Sequence, residues 1–229
     1  DICPLEIVFT VSEEQGLLGA KNLDYKQLTA KYGFIIDTSG EIGTACIKAP
    51  SYLFVKAIVN GKSAHAGMDA KSGINAIKIA AEALANIPTG AIDNETTMNI
   101  GKIQGGIATN IVPAITKTEF EIRSYSDAKI KKYFNIIDTA FKNAIKKNKG
   151  SSFEITSELQ FKTFEITDKS KILQLFKTAT KRINIPCKLE KTFGGSDANI
   201  FNQHGIETLN ISAGYNKPHT LEENISLEA

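Results

Sequence analysis

The chain has 229 residues, of which 42% are hydrophobic and 23% are charged, so it can bury a substantial core. Its net charge of +2 gives no electrostatic argument for binding nucleic acid or an anionic membrane. No apolar run approaches the roughly 20 residues that a membrane-spanning helix needs, and the N-terminus does not resemble a signal peptide. We therefore expect a soluble, cytoplasmic protein in which Cys3, Cys46 and Cys187 are reduced core residues.

Two strand-like segments open the chain, and acidic residues follow each of them. The apolar and β-branched run of residues 5–11 predicts a strand that stops before Glu13 and Glu14. After a short helix, residues 33–36 predict a second buried strand that ends at Asp37. In open α/β sheets ligands bind beyond the carboxyl ends of the strands, so these three carboxylates are expected at one edge of a pocket.

The middle of the chain predicts a separate module over residues 51–162. Strand patterns alternate with helical ones in the order β-α-β-β-α-β, which is the ferredoxin-like split unit. The predicted fold is therefore α/β, with a discontinuous domain of residues 1–50 and 163–229 and an inserted ferredoxin-like module of residues 51–162. Beyond the module the pattern predicts a helix, a Gly-rich loop and a further strand.

Taken one at a time, the acidic residues and the last histidine each have a plain alternative explanation. Glu13 and Glu14 could bind a metal and activate water, but adjacent glutamates also suit the positive end of a helix. Asp37 precedes a Ser-Gly turn, which aspartate commonly forms. His219 lies in a polar loop and is either a zinc ligand or a surface histidine.

Six motifs in order resemble one family of enzymes. They occupy residues 9–21, 32–37, 61–67, 105–113, 194–199 and 218–220. The family is that of the two-zinc exopeptidases and deacylases, which includes peptidase T, carboxypeptidase G, aminoacylase and succinyl-diaminopimelate desuccinylase. The chain is most similar to the peptidase T-like members.

The resemblance implies a division of roles among the acidic residues. Glu13 matches the general base, Glu14 and His219 match ligands of one zinc ion, and Asp37 matches a ligand of the other. This division suits zinc chemistry, because zinc accepts imidazole and carboxylate ligands while an unligated carboxylate can take up a proton.

Three residues of the central module match positions that act on the substrate. His65 matches a lid histidine that reaches the partner subunit's site and stabilises the oxyanion; its alternative role is to cap the following helix. Asn110 and Arg123 match positions that hold the substrate, and the arginine fork suits a terminal carboxylate. An ordinary cation at a strand end is the alternative for Arg123.

The Gly-rich loop matches one that lines the substrate pocket. Within it Gly195 and Ser196 are predicted to contact substrate. Asp197 suits this loop and suits the N-cap of the following helix equally well.

The chain departs from the family in one respect. None of its three histidines is followed by an aspartate two positions later, whereas the family begins with a His-x-Asp motif that supplies metal ligands. We therefore expect a fragment without the N-terminal metal-binding half and without the closing C-terminal helix. Partial zinc binding or none is expected of such a chain.

The resemblance implies zinc-dependent hydrolysis of an amide bond in short peptides by the complete enzyme, of the tripeptide aminopeptidase type. It also implies that residues 1–50 and 163–229 form an incomplete catalytic domain, and that residues 51–162 form a lid or dimerisation domain through which a homodimer forms. Two alternatives stay open, namely an N-acyl amino-acid deacylase and an inactive lid or dimerisation fragment. A nucleic-acid partner is disfavoured because the charge is nearly balanced and exposed aromatic residues do not alternate with cations.

Overall fold

A computed structural model describes residues 4–217 and 220–226, which form two compact units. The terminal unit comprises the described residues up to Pro50 and from Phe161 onward, and the central unit comprises Ser51–Gln160. None of the helices in the described part of the chain is long and apolar enough to cross a membrane.

Ten strands and five α-helices make up the described residues. The strands are β1 (Tyr32–Thr38), β2 (Thr44–Ala49), β3 (Ser51–Asn60), β4 (Gly90–Asp93), β5 (Thr96–Gly105), β6 (Ile115–Ser124), β7 (Ser152–Phe161), β8 (Phe164–Glu165), β9 (Lys188–Lys191) and β10 (Glu207–Ser212). The helices are α1 (Leu18–Asn22), α2 (Ala76–Leu84), α3 (Asp127–Lys147), α4 (Lys171–Arg182) and α5 (Asp197–Gln203). Short 3₁₀ turns span Glu13–Gln15, Tyr25–Gln27 and Ala70–Ser72.

The terminal unit is built on a mixed sheet with the order β1-β10-β2-β8, and β9 also pairs with β2. β1 runs parallel to β10, whereas β10 and β2 are antiparallel. Apolar residues of β2, β10, α4 and α5 form its core, in which Leu209 and Ala198 are fully buried. The sheet thereby fixes the position of Asp37, which lies near the end of β1.

The central unit has the predicted ferredoxin-like topology. Its sheet has the order β4-β5-β6-β3-β7. The strands β5 and β7 flank the central pair β6 and β3, and the short strand β4 adds an edge beside β5. The core lies between the sheet and the helices α2 and α3, and the ring of Phe120 meets Phe141 edge-on at 6.2 Å. The predicted α/β fold with an inserted β-α-β-β-α-β module is confirmed.

Two expectations drawn from the sequence were wrong. Residues 5–11 form no strand in the structure, and their alternate apolar side chains are exposed, from 72% at Ile7 to 93% at Phe9. The alternating pattern marks a segment suited to a strand, but a strand also needs a neighbouring backbone to pair with. Cys187 is exposed, so it is not a core residue; Cys46 is buried, and Cys3 lies outside the described residues.

Candidate active site

The acidic pair Glu13 and Glu14 lies on a tight turn of unusual backbone conformation. The turn is bracketed by Ser12 and Leu17, which have φ angles of 55° and 63°. A residue other than glycine in this left-handed region costs about 1–3 kcal/mol and persists only where its surroundings enforce it. Leu17 is 3% exposed and its N–H donates to the carbonyl of Glu13 at 2.8 Å, so the turn is anchored from its carboxyl side.

A bulge in the terminal sheet sets the position of Asp37. The register of β1 and β10 shifts between Ile36 and Thr38, so that Asp37 is the additional residue. The Asn210 side chain fills the bulge by accepting from the Asp37 N–H and donating to the Asp37 carbonyl, both at 3.1 Å. Bulges commonly redirect a side chain near an active site, and here Asn210 holds the redirected backbone of Asp37.

The three predicted carboxylates act together on one tyrosine. Burial raises the pKa of the Tyr215 phenol, and the negative charges of Asp37, Glu223, Glu13 and Glu14 raise that pKa further. Because charges act on a phenol only over a short range, the turn and the end of β1 face a common region of the terminal unit. Glu13, Glu14 and Asp37 thus all act on Tyr215, and that they line one metal centre stays a prediction.

Sequence reasoning missed three residues of this region. They are Asn210, Tyr215 and Glu223. Asn210 hydrogen-bonds to the backbone of Asp37, and the charge of Glu223 acts on Tyr215 together with the predicted carboxylates. Tyr215 and Glu223 flank the motif of residues 218–220, and this proximity was a usable indication.

The donor set in the described residues does not make a complete metal site. Glu14 and Asp37 offer carboxylate oxygens that zinc accepts, but no group of three or more His, Cys, Asp and Glu side chains lies close enough in the described ranges. The remaining predicted ligand, His219, lies outside the described residues.

The imidazole of His65 is exposed and held by its own loop. Its Nδ1 accepts from the N–H groups of Gly67 and Met68 at 3.2 and 3.1 Å. A nitrogen that accepts hydrogen bonds carries no proton, so the neutral imidazole has its proton on Nε2. His65 is thus prepared to donate a hydrogen bond outward from the loop.

The structure brings His65 and Asn110 together in the central unit. His65 forms a β-bridge with Ile111, and the Ala66 N–H donates to the Asn110 carbonyl at 2.9 Å. Both residues belong to exposed loops beyond one end of the sheet, although 45 positions separate them in the sequence.

Arg123 lies at the other end of the same sheet. On β6 it pairs with Tyr52, whereas Ile115 pairs with Asn60 beside the His65 loop. Eight residues of strand correspond to about 26 Å, so the structure does not bring Arg123 to His65 within one chain. The guanidinium contacts Glu121 at 3.2 Å and lies over the ring of Tyr52 at 4.7 Å.

Comparison with known proteins shows which enzymes the chain resembles. Residues 49–149 match the M20 peptidase dimerisation domain, which covers most of the central unit. Over 98% of its length the chain is 38% identical to the Bacillus subtilis protein YqjE. It is 39% identical to the aminopeptidase PepT of Bacillus cereus, with a TM-score of 0.86 over 96% of the chain. The chain is therefore similar to peptidase T-like members of the M20 family over nearly its whole length.

A second solved relative of this peptidase T-like chain is a tripeptidase from Staphylococcus aureus, at 36% identity and a TM-score of 0.87 over 94% of the chain. The chain spans 60% of the length of YqjE, 58% of the Bacillus cereus aminopeptidase and 57% of the tripeptidase. The M20 family includes a peptidase from Bacillus subtilis that is described as binding a dinuclear metal centre.

The Gly-rich loop of this peptidase T-like chain has a clear packing role. A Cβ atom at Gly195 would lie 2.1 Å from Cζ of Phe161, a ring that is 5% exposed. Ser196 is buried, and its N–H donates to Oδ1 of Asn199 at 3.2 Å. Close packing and helix capping account for both residues, and their contact with substrate stays a prediction.

We expect Gly195→Ala to destabilise the terminal unit by about 1–3 kcal/mol, because the Phe161 ring must move to admit the methyl group. Urea unfolding of the chain measures this difference. Gly194→Ala is the matched control, since its added Cβ would meet only Thr192 Oγ1, at 3.3 Å. Equal stability of the two variants would contradict the packing role.

Proposed function

We propose that the chain supplies catalytic and substrate-binding residues to a metal-dependent aminopeptidase that acts on short peptides, tripeptides in particular. The observation that carries the proposal is that the negative charges of Asp37, Glu13 and Glu14 all raise the pKa of the Tyr215 phenol, after the effect of burial. Hydrolysis of an amide needs both polarisation of the carbonyl and removal of a proton from water, and grouped carboxylates serve both needs. The relatives described as an aminopeptidase and a tripeptidase support the substrate class.

The carboxylates take different parts in the proposed reaction. Glu14 and His219 contribute to one zinc site and Asp37 contributes to the other. When bound, the two zinc ions polarise the scissile carbonyl and make water more acidic. Glu13 stays unligated, accepts a proton from the attacking water and delivers it to the departing amine.

We further propose that the site is completed across a homodimer formed through the central unit. An extended tripeptide spans about 10 Å, which is far less than the separation of roughly 26 Å along β6. His65 and Arg123 of one chain therefore do not reach the same tripeptide. In the dimer His65 acts on the peptide bound by the partner subunit, and Asn110 and Arg123 hold substrate.

We place the reaction in the cytoplasm. Cys46 and Cys187 are both free, which agrees with a reducing compartment. Short peptides are the proposed substrate there.

We expect the isolated chain to retain well under one zinc ion after dialysis against a mild chelator, because each proposed site lacks part of the three protein ligands that catalytic zinc normally requires. Elemental analysis measures the retained metal. A chimera in which this chain replaces the matching part of the Bacillus cereus aminopeptidase is expected to retain two.

The same chimera tests the proposed function. We expect it to release the N-terminal residue of a tripeptide and to lose this activity when its metal is removed. Preferential hydrolysis of N-acetylated amino acids would favour the deacylase instead. Two zinc ions retained by the isolated chain would contradict the proposed division of ligands.

A further inference from the structure

The turn that carries Glu13 and Glu14 is held firmly on its carboxyl side. The N–H of Gly19 donates to the Val11 carbonyl at 2.9 Å, and Leu18 donates to Ser12 at 3.3 Å. A Cβ atom at Gly19 would lie 2.4 Å from the Val11 oxygen, so glycine is needed for this close approach. These bonds close the turn from one side, and the left-handed conformation of Ser12 requires a restraint from the other side as well.

The restraint on the amino side comes from a residue remote in sequence. The Thr10 hydroxyl donates to Oδ2 of Asp197 at 2.6 Å across 187 positions. Asp197 is 4% exposed, and its Oδ1 is buried without a hydrogen-bond partner among the described residues. A hydrogen bond to a buried carboxylate is stronger than one between neutral groups, so Asp197 holds the Thr10 side chain in one position.

Aromatic rings fix the surroundings of this carboxylate. The Tyr25 ring stacks on His204 with a centroid separation of 3.7 Å and meets Phe201 edge-on at 5.4 Å. Its hydroxyl donates to the Ala20 carbonyl at 3.0 Å. Burial, and secondly the charge of Asp197, raise the pKa of this phenol to about 12, so the tyrosine is neutral and stays a donor. Tyr25 thereby joins α5, together with His204 directly after it, to α1.

We propose that Asp197 is a positioning residue for the candidate active site. Through Thr10 it fixes the amino side of the turn and so sets the direction of the Glu13 and Glu14 carboxylates. Its catalytic consequence rests on the proposed function, whereas its effect on the turn does not. The N-cap of α5 is Ser196 and not Asp197, contrary to the alternative offered by the sequence, so helix capping does not account for the bond between Asp197 and Thr10.

Amide hydrogen exchange on this chain tests the proposal. We expect Thr10→Val to accelerate exchange at Leu17, Leu18 and Gly19 by roughly 10- to 100-fold, which is the value of a hydrogen bond to a charged group. Thr10→Ser keeps the hydroxyl and is expected to restore slow exchange. Amides in the β1 and β10 pairing should exchange as before, which establishes that the sheet is intact.

Thr29→Val is the matched control, because it removes a similar hydroxyl bond, to Glu6 at 2.7 Å, on an exposed part of the same unit. We expect no change at the three turn amides in this variant. Unchanged exchange in Thr10→Val, or equally fast exchange in Thr10→Ser, would overturn the proposal. Exchange measures the position of the turn only, so the catalytic role of Glu13 can fail separately.

Discussion

Replacing Glu13 by glutamine in the chimera with the Bacillus cereus aminopeptidase is expected to lower kcat by roughly 100- to 10,000-fold, the usual contribution of a general base. The amide has nearly the same shape as the carboxylate but cannot accept the proton of water. Since Glu13 is proposed to be unligated, the variant should keep its metal and its KM. Steady-state kinetics with a tripeptide, together with elemental analysis, measures all three.

The variant Glu14→Gln, at the neighbouring position, is expected to differ from Glu13→Gln in its metal content. As a proposed zinc ligand it should lose part of the bound metal, and added zinc should restore some of its activity. Glu154→Gln on β7, an exposed position of the central unit, is the control for the substitution itself and should be unaffected. If Glu13→Gln loses metal while Glu14→Gln keeps it, the two roles have been exchanged.

The central unit was predictable because its patterns are local and strong. Leu53, Val55, Ala57 and Val59 alternate along β3, and the last three are fully buried against the helices. A period of two in a strand and of 3.6 in a helix follows from backbone geometry, so the order of elements could be predicted without a partner structure. The short edge strand β4 was missed, because four residues carry too little pattern.

The terminal unit was less predictable because its pairings are remote. β1 and β10 pair across more than 170 positions, and the alternating residues 5–11 find no pairing at all in the described chain. Sequence pattern specifies which face of a segment is apolar, but it does not specify which backbone satisfies its hydrogen bonds.

The candidate site was also predictable only in part, since its carboxylates were predicted and the residues that support them were not. Carboxylates after two apolar runs led to Glu13, Glu14 and Asp37, whose charges all raise the pKa of Tyr215. The residues that hold them were not predictable, since Asn210 binds the Asp37 backbone and Asp197 binds Thr10 through contacts that exist only in the folded chain. Supporting residues of this kind leave no periodicity or spacing in the sequence.

Replacing His65 by alanine in the same chimera is expected to lower kcat by about 100- to 1000-fold with little change in KM. The structure directs the Nε2–H of this exposed imidazole outward, because Nδ1 already accepts from Gly67 and Met68. A hydrogen bond to the developing oxyanion forms mainly in the transition state, so its loss affects turnover and not substrate binding. Melting temperature and metal content should stay unchanged.

Met68→Ala is the matched control for His65→Ala. Its side chain is 82% exposed in the same loop, and the substitution keeps the backbone N–H that holds the imidazole. We expect normal turnover in this variant. A comparable loss of activity would attribute the effect to the shape of the loop and not to the imidazole.

Mixing His65→Ala with Glu13→Gln tests whether the histidine acts on the partner subunit. After complete exchange, half of the dimers are mixed, and each mixed dimer combines an intact Glu13 with an intact His65 at one of its two sites. About one quarter of all sites should then be active, which follows from the two-fold symmetry of the dimer. Exchange itself is measured by mass spectrometry of isotopically labelled chains. If exchange is complete and no activity returns, His65 acts within its own subunit. The two ends of β6 would then have to serve the same peptide through a conformational change within one chain.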